Sequence, residues 1–516
     1  MCPQPFFSSF PRGLDANEEV GDGMADLEYL SLGRGQRRLQ DLRRWLISLP
    51  KRMGQGALRF VRGLAGLIKK LGLDIADIGQ TFVKGDWKTR VSFFIMGFGS
   101  FARGQFFRGL LFFLFQAVFF LYILFFGGAY LAKMGTLGTV ETSRQGRVTV
   151  YGDNSFLILL YGILTLFFIL AFLYTWRLNI RQNKISQQIL ASGKKLKYAR
   201  DDIAALADNQ FHKTLLSLPM LGLFTFTIVP IIFMILVAFT NYDYTHQPPG
   251  KLFTWVGLSN FRTMLSAGSA NYGDTFAQVL FWTLTWAFFA TFLNYFLGML
   301  VAIMINKKGI RLKKMWRTIL VMTIAIPQFV SLLYVSRMFA ADGLINSYLI
   351  SWGWISKPLP FWTDGTWARI TIIIINIWIG IPYMMLIATG ILMNIPADLY
   401  ESARIDGANA LQTYARITLP YMLFVTGPYL LTSFIGNLNN FNVIYLLTGG
   451  SPLSLQLRGN AGYTDLLITW LYKMTVTDSD YKMAAVIGII VFIITAVISL
   501  TVYNMIPSVR HEEDFQ

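Results

Sequence analysis

The sequence predicts an all-α polytopic membrane protein with about eight transmembrane helices, on three observations. The 516 residues are 54% hydrophobic and 15% aromatic, with a mean hydropathy of +0.48, too apolar for a water-soluble fold of this length. Eight apolar runs each approach the roughly 20 residues that cross a hydrocarbon core of about 30 Å. The Lys and Arg excess behind the formal charge of +17 is gathered into segments between those runs, as a membrane topology requires.

Residues 1–90 are a basic prefix. No apolar run follows the start closely enough for a secretory signal. From Arg34 to Lys70, basic residues interleave with Leu, Trp, Ile and Phe at helical spacing, which fits either an interfacial helix on anionic membrane lipid or a solvated tail. The apolar runs fall at about 109–131, 155–176, 217–240, 277–306, 316–340, 369–393, 420–446 and 484–506. Two of them belong to an accessory region, 91–216, that ends in a basic loop; six form a core, 217–506, and 507–516 is a tail. With the N-terminus inside, the segments 1–108, 177–216, 307–317, 394–420 and 507–516 hold 34 of the 45 Lys and Arg. Both termini are therefore expected on the cytoplasmic side of the cell membrane. The short linker Lys307–Arg317 weighs most, because charge counts most in short loops beside a span. The charge then reads as topology, and nucleic-acid binding loses its support. The outer loops are short and rich in Trp, Tyr, Gly and Pro, interfacial anchors for the spans. Only 441–483 is long enough for a small substructure.

The chemistry is defined first by what is missing. One cysteine, Cys2, excludes an internal disulfide, and three scattered histidines argue against zinc. The sequence has no H-E-x-x-H, no G-x-S-x-G and no intramembrane carboxylate pair, so no enzyme activity is expected. Ser192–Lys195 lacks the glycine and hydroxyl of a phosphate-binding loop. If the chain drives transport, another subunit hydrolyses the nucleotide. The third to eighth spans hold no Asp, Glu, Lys or His away from their edges, and only Arg337 near an outer end, which argues against a proton relay. They hold instead Asn294, Gln328, Asn376, Ser433, Asn437, Asn439 and Asn440, with Gly380 and Gly436 close by. Amides that both donate and accept suit a hydroxyl-rich, uncharged ligand, and Tyr383, Phe434 and Phe441 offer faces to sugar rings. The same residue types also glue helices together. Ser433 to Asn440, read as one helix, carries more polarity than packing needs. Pro382 and Pro428 are expected to break their helices around a cavity, a trait of transporters and channels alike.

Ile395–Pro420 cannot cross a bilayer. A helix is expected from Pro396, with Asp398 in its first turn, to a stop at Gly407, and a second from Asn409 to Thr418. Leu399, Ala403 and Tyr400 share a docking face, away from Asp398, Glu401 and Arg404 or Asp406. Within it, Glu401, Ser402 and Ala403 are followed after three residues by Gly407, then after nine by Ile417, Leu419 and Pro420. This spacing resembles the EAA loop of permease subunits of binding-protein-dependent ABC importers, with Ser402 in place of the first alanine. Trp255–Phe261 (WVGLSNF) and Asn437–Pro452 resemble sugar-importer permeases. Two spans before a six-span core resemble the MalF type of maltose/maltodextrin permease subunit, most clearly over Gln210–Ile506. Only Asn241–Phe276 stands where some members of that family carry a large domain.

The resemblance implies a type I ABC importer permease fold with cytoplasmic EAA coupling helices. It implies import of maltose, maltodextrin or a similar oligosaccharide by a machine of which this chain is the transport subunit. The implied partners are a MalG-like second permease, a MalK-like ATPase dimer and an extracytoplasmic sugar-binding protein. No cofactor would be bound by this chain, and ATP would be hydrolysed by the partner subunits. Coupling to the ATPases would fall to Glu401, Ser402, Ala403, Asp406, Gly407, Ile417, Leu419 and Pro420. The sugar would lie against Asn376, Gly380, Tyr383, Ser433, Asn437 and Asn440, with Gly436 where the family has an aromatic residue. A permease for a different sugar or glycerol phosphate remains open, as do a membrane-embedded glycosyltransferase and a channel; an enzyme should show clustered carboxylates, and a channel should need no ATPase docking element.

Overall fold

The structure of the protein, a computed structural model, describes residues 72–503 apart from 146, 197–199, 202–203, 205–206, 209, 267–270 and 308, together with 62, 63, 65, 66, 69 and 70. Most of the basic stretch 34–70 and all of the tail 507–516 lie outside the described residues. Among the described residues seven helices are long and apolar enough to cross a membrane, and a bent pair counts as an eighth if it forms one span. In order these are α1 (Phe106–Lys133), α2 (Ser155–Ala191), α3 (Phe211–Val237), α4 (Tyr272–Asn306), and the pair α5 (Lys313–Ala325) and α6 (Gln328–Met338). There follow α7 (Gly365–Leu392), a short amphipathic α8 (Ala397–Ile405) and α9 (Ala410–Leu438). After the short α10 (Phe441–Leu447) and α11 (Leu467–Val476), α12 (Tyr481–Tyr503) closes the described chain. Phe226, Phe281 and Phe492 on these spans are 81%, 74% and 70% exposed, apolar faces of the kind that hydrocarbon covers. The chain is a multi-pass helical membrane protein.

Three local expectations are corrected. Pro382 and Pro428 sit inside helices that run through them. The break occurs instead at Pro327, where α5 and α6 meet at 91° and Ile326 is extended, the conformation that a following proline imposes. Ser433 to Asn440 is not one helix: α9 ends at Leu438, and the Asn440 side chain accepts from Val443 N at the start of α10. After Asn409 no separate second helix forms. Asn409 caps α9 in a reciprocal box with Gln412, and α9 continues through a π turn at Tyr414–Thr418 into the span.

The described residues divide into two compact units, one made of the chain up to Ala129 with Thr165–Met220, the other of Tyr130–Leu164 with the chain from Leu221 onward. The first is held by a buried polar network. Arg103, 1% exposed at its side chain, bonds Asp86 and Thr89 at 2.7 Å and Asn183 at 2.7 Å. Asn179 accepts from Gly97 N and donates to the Ser92 carbonyl, so the turns between residues 92 and 99 are tied to α2. Ion pairs Arg177–Asp74 and Lys184–Asp77 fasten helical residues 72–84 to the same helix. Phe119 of α1 stacks on Phe172 of α2 with centroids 3.9 Å apart.

In the second unit α4 packs on α7 and α9. One apolar cluster gathers Trp282, Trp286, Leu332, Ile372 and Ile444; another gathers Tyr295, Met299, Met384, Met385 and Met422. Between α1 and α2 a two-stranded hairpin, β1 (Ser143–Gln145) with β2 (Val148–Val150), forms where only a loop was expected. The WVGLSNF stretch caps a helix end, because Asn260 Nδ2 donates to the Ala238 and Thr240 carbonyls, acceptors left open where α3 stops. Nearby, Asp243 bonds Lys482, Thr245 and His246. Burial raises the Asp243 carboxyl, but these partners outweigh it and hold the group well below the usual carboxylate range. Residues 441–480 do form a small substructure, containing α10, α11 and the bridge Leu453–Gly462.

Candidate functional site

A cavity of about 150 Å³ opens between α4, α7 and α9. Thr291, Asn294 and Tyr295 line it from α4, Gly380, Tyr383 and Met384 from α7, and Tyr429, Ser433 and Asn437 from α9. Helical spacing explains each set: positions three and four apart share a face, so each helix offers one stripe to the void. None of the nine residues carries a charge. Amide and hydroxyl groups beside phenol rings form a lining able to hydrogen-bond hydroxyls and to pack against apolar ring faces.

Of the six residues expected to meet sugar, Gly380, Tyr383, Ser433 and Asn437 line this cavity and Asn376 and Asn440 do not. Asn376 is 6% exposed and its Nδ2 has no partner. Asn437 serves packing as well as the cavity: its Nδ2 donates to Thr291 Oγ1 at 3.0 Å, its Oδ1 accepts from Asn440 at 3.3 Å, and its backbone carbonyl accepts from Trp286 Nε1 at 3.2 Å. Gly436 has open space where a Cβ would stand. Gly380 has none: a Cβ there would lie 2.2 Å from Asn294 Nδ2, so the bare α-carbon lets the two helices and that amide approach. Thr291, Tyr295, Met384 and Tyr429 were not foreseen. The signal was available in the spacing of Thr291, Asn294 and Tyr295 on α4, three polar or amphipathic groups about one turn apart in the otherwise apolar stretch 286–304.

At one end of α9 stands the amphipathic α8. Pro396 precedes its first residue, Asp398 lies in its first turn and Arg404 in its last. Ala403 is buried and Tyr400 OH bonds Thr418 Oγ1 at 3.1 Å, joining α8 to the π turn of α9. Leu399, one turn before the buried Ala403 on the same face, is 37% exposed. Glu401, Ser402 and Asp406 are exposed, and the chain turns at Gly407, whose φ is +72°. Ile417, Leu419 and Pro420 are half-buried about the start of the transmembrane part of α9.

A helical multi-pass protein with an uncharged polar cavity between its spans and an amphipathic helix at a span's end is a membrane permease in class. Residues 294–511 match the family described as the binding-protein-dependent transport system inner membrane component. The chain belongs to that family, the permease subunits of ABC importers. It is 34% identical over 445 residues to the maltodextrin transport system permease protein MdxF of Bacillus subtilis, covering 84% of this chain and 99% of that protein. It is 36% identical over 431 residues to the maltodextrin transport system permease protein MalC of Streptococcus pneumoniae, covering 81% and 95%. Over 420 residues it is 34% identical to the galactooligosaccharides transport system permease protein GanP of Bacillus subtilis, covering 81% and 97%.

Proposed function

We propose that this chain is one half of the membrane channel of an ATP-driven, binding-protein-dependent importer for maltose, maltodextrin or a similar oligosaccharide. The observation that carries the reading is the uncharged cavity of amides, hydroxyls and phenols between α4, α7 and α9. It favours a neutral sugar over glycerol phosphate, whose charge would be left unpaired there. Near full-length similarity to two maltodextrin permeases and one galactooligosaccharide permease supports the same substrate class.

A MalG-like permease would complete the path, a MalK-like ATPase dimer would drive it, and an extracytoplasmic binding protein would deliver the sugar. The chain itself would bind no cofactor. The basic linker Lys307–Arg317 and α8 face the cytoplasm in this reading, as does the N-terminus. Closure of the ATPases on ATP pushes α8 through its exposed Glu401, Ser402 and Asp406. Tyr400 and Thr418 pass the movement to α9, and the same continuous helix carries Tyr429, Ser433 and Asn437 at the cavity. Gly380, Tyr383, Ser433 and Asn437 contact the sugar.

The test is uptake of maltose, maltotriose and galactooligosaccharide in a strain lacking the chain, complemented by the wild type or by Glu401→Lys. The wild type should restore uptake of at least one of them. Glu401→Lys should reach the membrane, retain little ATPase on purification and transport poorly. No restored uptake of any oligosaccharide would sink the substrate class. Normal assembly and transport by Glu401→Lys would sink the coupling.

A further inference from the structure

Among the polar groups that α4 brings to the cavity, two are already engaged. Thr291 Oγ1 accepts from Asn437, and Tyr295 OH accepts from Thr426 Oγ1 at 2.9 Å. Asn294 differs. Its Oδ1 is buried and has no hydrogen-bond partner. Its Nδ2 lies so close to Gly380 that a methyl group there would clash at 2.2 Å, so α7 fixes where the amide sits. A buried acceptor without a donor is unfavourable, and native interiors rarely leave one without a reason. Asn294 is one of the residues that line the cavity of about 150 Å³, a space large enough to hold a donor from outside the chain once its amide turns towards it.

We propose that Asn294 Oδ1 is the acceptor for a sugar hydroxyl, making α4 a third helix, beside α7 and α9, that reads the substrate. This rests on the reading of the cavity as an oligosaccharide path, and it adds a residue that the EAA-family resemblance does not supply. Its consequence is selectivity. A site that holds a hydroxyl with a fixed, otherwise unpaired amide discriminates against a substrate lacking that hydroxyl, because the acceptor is then buried with nothing to accept. Gly380 acts with it: the missing side chain on α7 is what admits the Asn294 amide to the wall.

The experiment uses the whole importer, reconstituted with its partners, and compares kcat/KM for maltose with each monodeoxymaltose. The wild type should transport one analogue about tenfold less well than maltose, equivalent to about 1.4 kcal/mol. Asn294→Leu, with the same number of side-chain heavy atoms and the same branching but without an acceptor, should lose about tenfold for maltose and show no further loss for that analogue. Discrimination among the analogues that is the same in wild type and variant overturns the proposal and makes Asn294 a packing residue or the partner of a trapped water. If Asn294→Leu does not reach the membrane, Asn294→Ala is measured against the same two outcomes. A wild-type importer that moves no maltodextrin or other oligosaccharide overturns the cavity reading and this proposal together, whereas wild-type transport with unchanged discrimination overturns this proposal alone.

Discussion

At the scale of single residues the protein keeps its charges at the margins of the spans, and one of them is instructive. Asp465 has a fully buried side chain, with Oδ2 2.6 Å from Lys473 Nζ and 2.7 Å from Gly462 N, and with Oδ1 2.9 Å from Thr469 Oγ1. Burial pushes its carboxyl above the ordinary value, and Lys473 only partly opposes that. A carboxyl with a raised folded pKa binds its proton more tightly folded than unfolded. Its contribution therefore falls as pH rises from the ordinary carboxylate value towards the folded one, and is constant above it. Removing the cation makes this visible. Lys473→Met should cost about 3–5 kcal/mol at neutral pH by leaving a buried charge alone. It should regain stability as the pH is lowered through the further raised pKa of Asp465. Thermal aggregation midpoints in detergent between pH 5 and 8 would read this, and adding Asp465→Asn should recover most of the loss at neutral pH. A flat pH profile in Lys473→Met would mean that the pair is solvated.

At the scale of elements, α8 and its turn were written in local chemistry. Pro396 before the first helical residue, Asp398 in the first turn and Gly407 at φ +72° follow rules that act over a few residues. A Cβ at Gly407 meets nothing within 4 Å, so substitution there strains the backbone without a steric clash. Gly407→Val should cost roughly 1–2 kcal/mol of local stability from the left-handed conformation alone. If α8 is the lever proposed above, the variant should insert normally yet transport less sugar per ATP hydrolysed. Gly407→Asn, which tolerates that conformation better, should be milder. Sugar transported per ATP in the reconstituted importer separates the two; an unchanged ratio in Gly407→Val would remove Gly407 as the joint. The fifth span teaches the opposite lesson. Its apolar run reads as continuous, yet Pro327 divides it into helices at 91°.

For the whole molecule, topology is the quantity with the most direct test. In the reading proposed above, the charge distribution puts Lys307–Arg317 inside and the loop with Trp352 and Trp354 outside. Cys2 is the only cysteine, so Cys2→Ser gives a clean background. In intact cells, Lys314→Cys should resist a membrane-impermeant maleimide, whereas Trp354→Cys, at a position 72% exposed, should react. The reverse pattern would invert every inside and outside assignment above, including the side on which α8 meets an ATPase.

The sequence by itself determined the class, the number of apolar runs and the α8 turn, because span length, charge clustering and capping depend on neighbours in the chain. It also named five of the residues at the cavity, Asn294, Gly380, Tyr383, Ser433 and Asn437. Only the tertiary structure decided which helix faces meet. It left Asn376 out of the cavity lining, brought Asn437 onto Thr291 across 146 residues, and made α4 a wall of the cavity. The reason is geometric: helical periodicity says which side chains share a face, but the packing of small and large residues between helices chooses the face that looks into the void.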